Sequence, residues 1–190
     1  MGDWNIVRLT RAVQVAELMG VEADELPDPD QPVRARYDQL RAEGATLEAL
    51  EFIGHALPRF EAICWGAKIL ETEARKRALP PLDRQALDHV LRWKSDPEDA
   101  LRRAARDAAD SAGERSAERL LALAVFLSGG SISLPDLPPV LPPPEAGCRL
   151  AVGAVTCAAY RSETPEAILE QALRLAEAVS ENGIGALEAA

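Results

Sequence analysis

The stretch from Thr46 to Lys76 most restricts what this chain can fold into, because one proline divides two helical patterns. Before Pro58, apolar residues recur at steps of three and four, at Leu47, Leu50, Ile53 and Leu57. After Pro58 the same steps recur, at Phe60, Ile63, Cys64, Ala67 and Leu70. Proline cannot continue a helix, but it suits the first turn of a new one. The stretch therefore predicts two helices that meet at a corner, His55 to Arg59.

Helical spacing continues through most of the remaining chain. Asp96-Pro97-Glu98 and Thr164-Pro165-Glu166 have the grammar of helix starts, with proline and acids in the first turn. Residues 145–161 carry apolar side chains on every side, which is typical of a buried helix. We predict one all-α domain over residues 1–190, an irregular bundle of seven or eight helices around this buried central helix.

Two segments depart from the helical pattern. Residues 1–30 include an acidic, proline-punctuated stretch and either pack on the bundle or hang free. Residues 131–144, the Pro-rich segment, contain two PxxP spacings, Pro135 to Pro138 and Pro139 to Pro142, which suit an aromatic groove on a partner. The alternation of prolines with apolar residues instead favours a strap packed on the bundle through Ile132, Leu134, Leu137, Val140 and Leu141.

Charge and composition exclude several classes of function. The net charge is −10, from 21 basic and 31 acidic residues, which argues against nucleic acid and anionic membranes as partners. No apolar stretch is long enough to span a membrane. The first residues lack the features of a secretion signal, and three unpaired-looking cysteines suit a reducing compartment. We therefore expect a cytoplasmic location and no membrane span.

The corner carries the densest chemistry in the sequence, but two interpretations compete there. His55, Glu61 and Cys64 could form a thiol site in which the histidine lowers the pKa of the cysteine. The packing interpretation is stronger, because Cys64 falls on the apolar stripe and cysteine is often buried. No metal-ligand spacing, phosphate loop or hydrolase motif occurs. We expect no metal, no cofactor and no catalytic residue.

The same corner resembles a bacterial family of unknown function. The residues His55-Ala56-Leu57-Pro58-Arg59, then Glu61-Ala62 and Trp65, are similar to a segment that reads HALPxREAVWWA in its members. This chain departs from that segment at Phe60 and Cys64, and the resemblance extends from about Tyr37 onward. The family is frequently encoded beside type VI secretion components, which implies an accessory or adaptor role. It offers no catalytic residues to carry over.

We therefore predict a protein-interaction or adaptor module with a protein partner. Because tryptophan is enriched at interface hot spots, the expected surface is His55, Arg59, Glu61 and Trp65. The alternative is a small-ligand binder or thiol-dependent enzyme that uses His55, Glu61 and Cys64 in a concave pocket. A third interpretation is a homodimer formed through the alanine-rich face between Ala100 and Ala108.

Overall fold

A computed structural model describes residues 4–134 and 136–188. Within these ranges the chain forms nine α-helices and a short 3₁₀ turn, and no β-sheet, which confirms the all-α bundle. The predicted count of seven or eight helices is therefore one or two too low. The helices are α1 (Ala12–Met19), α2 (Val33–Ala42), α3 (Thr46–Ala56), α4 (Arg59–Lys76), α5 (Pro81–Ser95), α6 (Asp99–Ser111), α7 (Ala117–Phe126), α8 (Ala146–Tyr160) and α9 (Pro165–Asn182).

The predicted corner lies between α3 and α4. Leu57 is extended, with φ −65° and ψ 143°, because a following proline disfavours helical geometry. Its N–H still donates to the carbonyl of Ile53 at 3.0 Å, which closes the last turn of α3. The chain then re-enters helix at Arg59, directly after Pro58.

Helix α8 packs against α3, α4, α7 and α9, as expected for the central helix. Glycines on the neighbouring helices permit the close approach. A Cβ atom on Gly54 would lie 2.3 Å from Val152 of α8, and one on Gly66 would lie 2.9 Å from Leu121 of α7. One edge of α8 remains open, where Arg149 and Tyr160 are exposed.

The N-terminal residues pack on the bundle from Trp4 onward. The Trp4 ring lies 5.1 Å from the Tyr37 ring, centroid to centroid. The N–H of Ile6 donates to the carbonyl of Ser180 at 3.0 Å, and Val15 of α1 is fully buried. Of the two arrangements left open for residues 1–30, residues 4–19 adopt the packed one, while most of residues 22–30 are exposed and residues 1–3 lie outside the described range.

The alanine-rich face of α6 is used inside the chain. Ala105, Ala108 and Ala109 are buried, and α6 packs against α5 and α7. Small side chains permit this close packing between neighbouring helices. The residues that suggested a dimer contact are therefore covered by the protein itself, apart from exposed positions such as Ala100.

The prediction that the Pro-rich segment packs its apolar residues on the bundle is wrong for four of the five residues, and the fifth, Ile132, is half-buried. The other large side chains point to solvent, with exposed fractions of 63%, 57%, 52% and 72% at Leu134, Leu137, Val140 and Leu141. The physical reason is that the segment closes on itself. The N–H of Ile132 donates to the carbonyl of Val140 at 2.8 Å, and the Ser133 hydroxyl donates to the carbonyl of Pro138 at 2.6 Å.

Candidate functional site

Trp65, one of the four predicted surface residues, does not lie at the surface. Its side chain is fully buried, and its indole N–H donates to the carbonyl of Ala172 in α9 at 2.8 Å. A buried tryptophan needs a partner for this N–H, and the α9 backbone supplies one. Trp65 therefore joins α4 to α9 and contributes nothing to a surface.

His55 is also buried, with 3% of its surface exposed. Its Nδ1 lies 2.8 Å from the carbonyl oxygen of Glu51, one turn earlier in α3. Because a carbonyl only accepts, Nδ1 carries the proton and donates. Burial lowers the pKa of His55, so the ring is neutral and Nε2 holds a free lone pair. That buried Nε2 has no hydrogen-bond partner in the described part of the chain.

Cys64 does not have the environment of a reactive thiol. Its side chain is fully buried on the apolar stripe of α4, and burial raises its pKa to about 12. The thiolate is the nucleophilic form, so this cysteine is unreactive at neutral pH. The geometry therefore disfavours thiol chemistry at Cys64, and the packing interpretation accounts for its position.

A cleft of about 620 Å³ opens at the corner. It lies between the segment before α1, the α3–α4 corner and the start of α8. Three of its lining residues, His55, Leu57 and Cys148, are largely buried. Charged side chains also line the cleft: Arg8, Arg59, Glu61 and Glu145. Of the residues named from the sequence, His55, Arg59 and Glu61 line this concave site, and Trp65 and Cys64 do not.

The charged groups of this cleft are not committed to other partners. Across the described ranges, Arg8, Arg59, Glu61 and Glu145 form no ion pair and no side-chain hydrogen bond. Helices α4 and α8 both begin here without a side-chain cap, so their first N–H groups leave partial positive charge near the cleft. Cys148 is a neutral thiol, because burial raises its pKa to about 11, and it donates to the carbonyl of Leu57 at 3.7 Å.

A second surface, the Pro-rich segment, is fixed at its base by two arginines of α6. The carbonyl of Ser131 accepts from Arg102 at 2.8 Å and from Arg103 at 3.1 Å. Arg103 also donates to the carbonyl of Ser133 at 3.0 Å. Asp99 accepts from both guanidinium groups, first Arg102 and then Arg103, and these bonds hold its pKa below its usual value.

Sequence reasoning missed this anchor because it leaves no recognisable signal. Consecutive arginines on a helix usually indicate a solvated face, and here their acceptors are backbone carbonyls, which any residue type provides. The result is a fixed loop with exposed apolar side chains. Half of the large exposed hydrophobic residues in the described structure lie in it, at Leu134, Leu137, Val140 and Leu141, while the others are spread over several helices.

Glu118 and Arg161 form another charged pair that the sequence did not predict, and this pair holds two helices together. Glu118 is fully buried, and Arg161 donates to its two oxygens at 2.7 and 2.8 Å, which joins α7 to the end of α8. Within the described residues no group of three or more His, Cys, Asp or Glu side chains could hold a metal ion. In the same part of the chain, no helix has both the length and the apolar character needed to cross a membrane.

These observations define an all-α bundle protein with a fixed, apolar Pro-rich segment and a small polar cleft at a helix corner. A family of unknown function, DUF6931, matches residues 37–180, and the chain therefore belongs to this family. The matched range includes the α3–α4 corner and the Pro-rich segment. No curated protein and no solved structure matches the chain.

Proposed function

We propose that this chain is a cytoplasmic protein-interaction module, an adaptor accessory to a bacterial secretion system, and that it binds its partner through the Pro-rich segment. The observation that carries the proposal is the exposure of Leu134, Leu137, Val140 and Leu141 in one loop. Contiguous apolar patches on a soluble surface mark interaction sites more often than scattered apolar residues do.

The anchored backbone of the segment supports a binding role. Arg102 and Arg103 fix the carbonyls of Ser131 and Ser133, and the loop is closed by its own hydrogen bonds. Ordering a mobile loop on binding opposes association, and a loop that is already fixed avoids much of this loss. The apolar side chains are therefore displayed on a prepared backbone.

The chemistry of the segment indicates what the partner offers. Exposed prolines beside leucines suit an aromatic-lined groove, which accepts extended proline-containing chains. Pro142 is buried in this chain, so the exposed stretch from Leu137 to Leu141 makes the contact. Pro135, the first proline of the other PxxP spacing, lies outside the described residues. Because this chain carries a net charge of −10, basic residues around the groove would favour association.

The link to secretion rests on the resemblance of the corner segment to a family that is frequently encoded beside type VI secretion components. That setting gives a defined group of proteins among which to look for the partner. Family membership itself supplies no activity. The location in the cytoplasm is proposed together with this partner.

A pull-down with a matched pair of variants tests the proposal. Leu137→Ser/Leu141→Ser removes two exposed leucines from the segment, and Leu47→Ser/Leu82→Ser removes two exposed leucines from helices α3 and α5. We expect the first variant to lose a partner that wild type and the second variant both retain. A synthetic peptide with the sequence of residues 131–144 should compete for the same partner.

Thermal unfolding of both variants serves as the control, because the replaced side chains are exposed and both proteins should remain folded. The proposal fails if Leu137→Ser/Leu141→Ser captures the same proteins as wild type. It also fails if Arg59→Ala/Glu61→Ala removes the partner while the segment variant retains it, because the corner would then be the binding surface.

A further inference from the structure

His55, one of the residues that line the cleft at the α3–α4 corner, has an unsatisfied acceptor. Only 3% of the His55 surface is exposed. Its Nδ1–H donates to the carbonyl of Glu51, and its Nε2 has no hydrogen-bond partner in the described structure. A buried acceptor without a donor is unfavourable, and native proteins rarely leave one without a reason. A ligand that carries an N–H or O–H group would satisfy it.

The charges of the cleft restrict that ligand further. Two cations, Arg8 and Arg59, and two acids, Glu61 and Glu145, line it without forming ion pairs in the described ranges. A simple anion would pair only with the arginines, and a simple cation only with the acids. A zwitterion gives each kind of charge an opposite partner.

The positions of these groups suggest where each end of a zwitterion lies. Glu145 at the start of α8 lines the cleft together with His55, which assigns the ammonium group to this side of the cleft. Arg59 occupies the first turn of α4, whose N-terminus has no side-chain cap and favours a carboxylate. The rest of the lining includes apolar surface from Leu9, Leu18 and Leu57.

We propose that this cleft binds a small zwitterion with an apolar side chain, an α-amino acid or dipeptide. The ammonium group donates to His55 Nε2 and pairs with Glu145, the carboxylate pairs with Arg59, and the side chain lies on the leucines. The volume of about 620 Å³ falls in the range of small-molecule sites. Because Nε2 is covered in this structure, side chains at the rim move aside when the ligand enters.

Calorimetric titration with three matched compounds tests the charge requirement. Leucine carries both charges, isocaproate lacks the ammonium group, and isoamylamine lacks the carboxylate. We expect saturable binding of leucine or its dipeptide, and binding of either analogue weaker by about tenfold or more, since each loses a charged hydrogen-bonded group. Absence of saturable binding by leucine and by the dipeptide overturns the inference, as does equal binding of all three compounds.

Two variants then locate the site. Glu145→Gln and Arg59→Gln should each weaken binding by about tenfold. Arg92→Gln and Glu98→Gln are charge-matched controls at exposed positions on or beside other helices and should leave the affinity unchanged. If all four variants bind like wild type, the ligand does not bind in this cleft.

The role of His55 can be measured without replacing a buried residue. The imidazole proton resonances of His55 should shift on titration with leucine, while those of His89 should not, and a His89→Asn variant assigns the two sets. Unchanged His55 resonances at saturation overturn the assignment of its Nε2. Leu137→Ser/Leu141→Ser should bind leucine as wild type does, because neither of these side chains lines the cleft.

Discussion

The α3–α4 corner and the Pro-rich segment place their side chains in opposite ways. The corner contains the residues with the most chemistry, and His55, Cys64 and Trp65 are all buried there. The Pro-rich segment contains mostly prolines and leucines, and four of its large apolar side chains are exposed. Residue type alone would have placed His55 at the surface and the leucines of the Pro-rich segment in the interior.

The difference lies in where each region finds hydrogen-bond partners. Trp65 can be buried because a carbonyl of α9 accepts its N–H, and His55 because a carbonyl of its own helix accepts one ring proton. The Pro-rich segment has few N–H groups, and its carbonyls are bound by arginines of α6. Because the arginines bind the backbone of the segment, its leucine side chains remain exposed to solvent.

The largest expected effect comes from truncating the buried side of the comparison. Trp65→Ala removes a fully buried indole and its hydrogen bond, so we expect a loss of about 3–5 kcal/mol in the free energy of unfolding. Leu141→Ala, at a position with 72% exposure, should change it by less than about 0.5 kcal/mol. Urea denaturation measures both. Similar values for the two variants would mean that the regions do not differ in burial.

The anchor of the Pro-rich segment should give the next largest effect. Arg102→Ala leaves the carbonyls of Phe126 and Ser131 without this donor and leaves Asp99 with a single guanidinium partner. We expect a loss of about 2–3 kcal/mol, because hydrogen bonds to charged groups in a buried setting are strong. Hydrogen exchange in residues 131–140 should also become faster.

The matched control for that anchor is Arg92→Ala, an arginine on the exposed side of α5. It should change stability by less than about 0.5 kcal/mol and leave exchange in the segment unaltered. An Arg102→Ala variant that exchanges like wild type in residues 131–140 would show that the arginine does not fix the segment.

Packing beside the corner can be tested with a single methyl group. A Cβ on Gly54 would approach Val152 to 2.3 Å, so Gly54→Ala should lose about 1–3 kcal/mol through overpacking. The double variant Gly54→Ala/Val152→Ala should recover part of this loss, because the clashing methyl groups are gone. A thermal unfolding series of four proteins (wild type, Gly54→Ala, Val152→Ala and the double variant) gives the coupling, and strictly additive effects would contradict direct contact.

The smallest effect is the pH dependence of stability from His55. Burial lowers the pKa of His55 in the folded state below its ordinary value near 6.5, so the unfolded state binds the proton first as pH falls. The contribution of His55 to the free energy of unfolding is fully present above pH 6.5. It decreases as the pH falls below 6.5, until the pH reaches the lowered pKa. His55→Asn should remove this part of the decrease. An identical pH profile in the variant would contradict a neutral, buried His55.

The sequence predicted the helices where their ends have clear chemistry. Pro58 predicted the start of α4, and Thr164-Pro165-Glu166 predicted the start of α9. It also predicted that α8 lies at the centre of the bundle. These features depend on residues that are neighbours in the chain, so local patterns contain them.

The candidate sites depended on contacts that local patterns do not contain. The cleft gathers Arg8, the α3–α4 corner and Glu145 from three distant parts of the chain. The burial of Trp65 depends on the carbonyl of Ala172, 107 residues away. The anchor of the Pro-rich segment uses carbonyls, whose roles do not depend on residue type. Local patterns therefore named His55, Arg59, Glu61 and Trp65 as one surface, but they could not show that His55 and Trp65 are buried.

Site-specific photo-crosslinking in the source cells tests the central claim most directly. A photoreactive residue replaces Leu137 in the Pro-rich segment of one protein and Arg59 at the corner of another. We predict a discrete crosslinked protein from position 137 that a peptide of residues 131–144 suppresses, and none from position 59. A protein crosslinked from position 59 and not from position 137 would contradict the account.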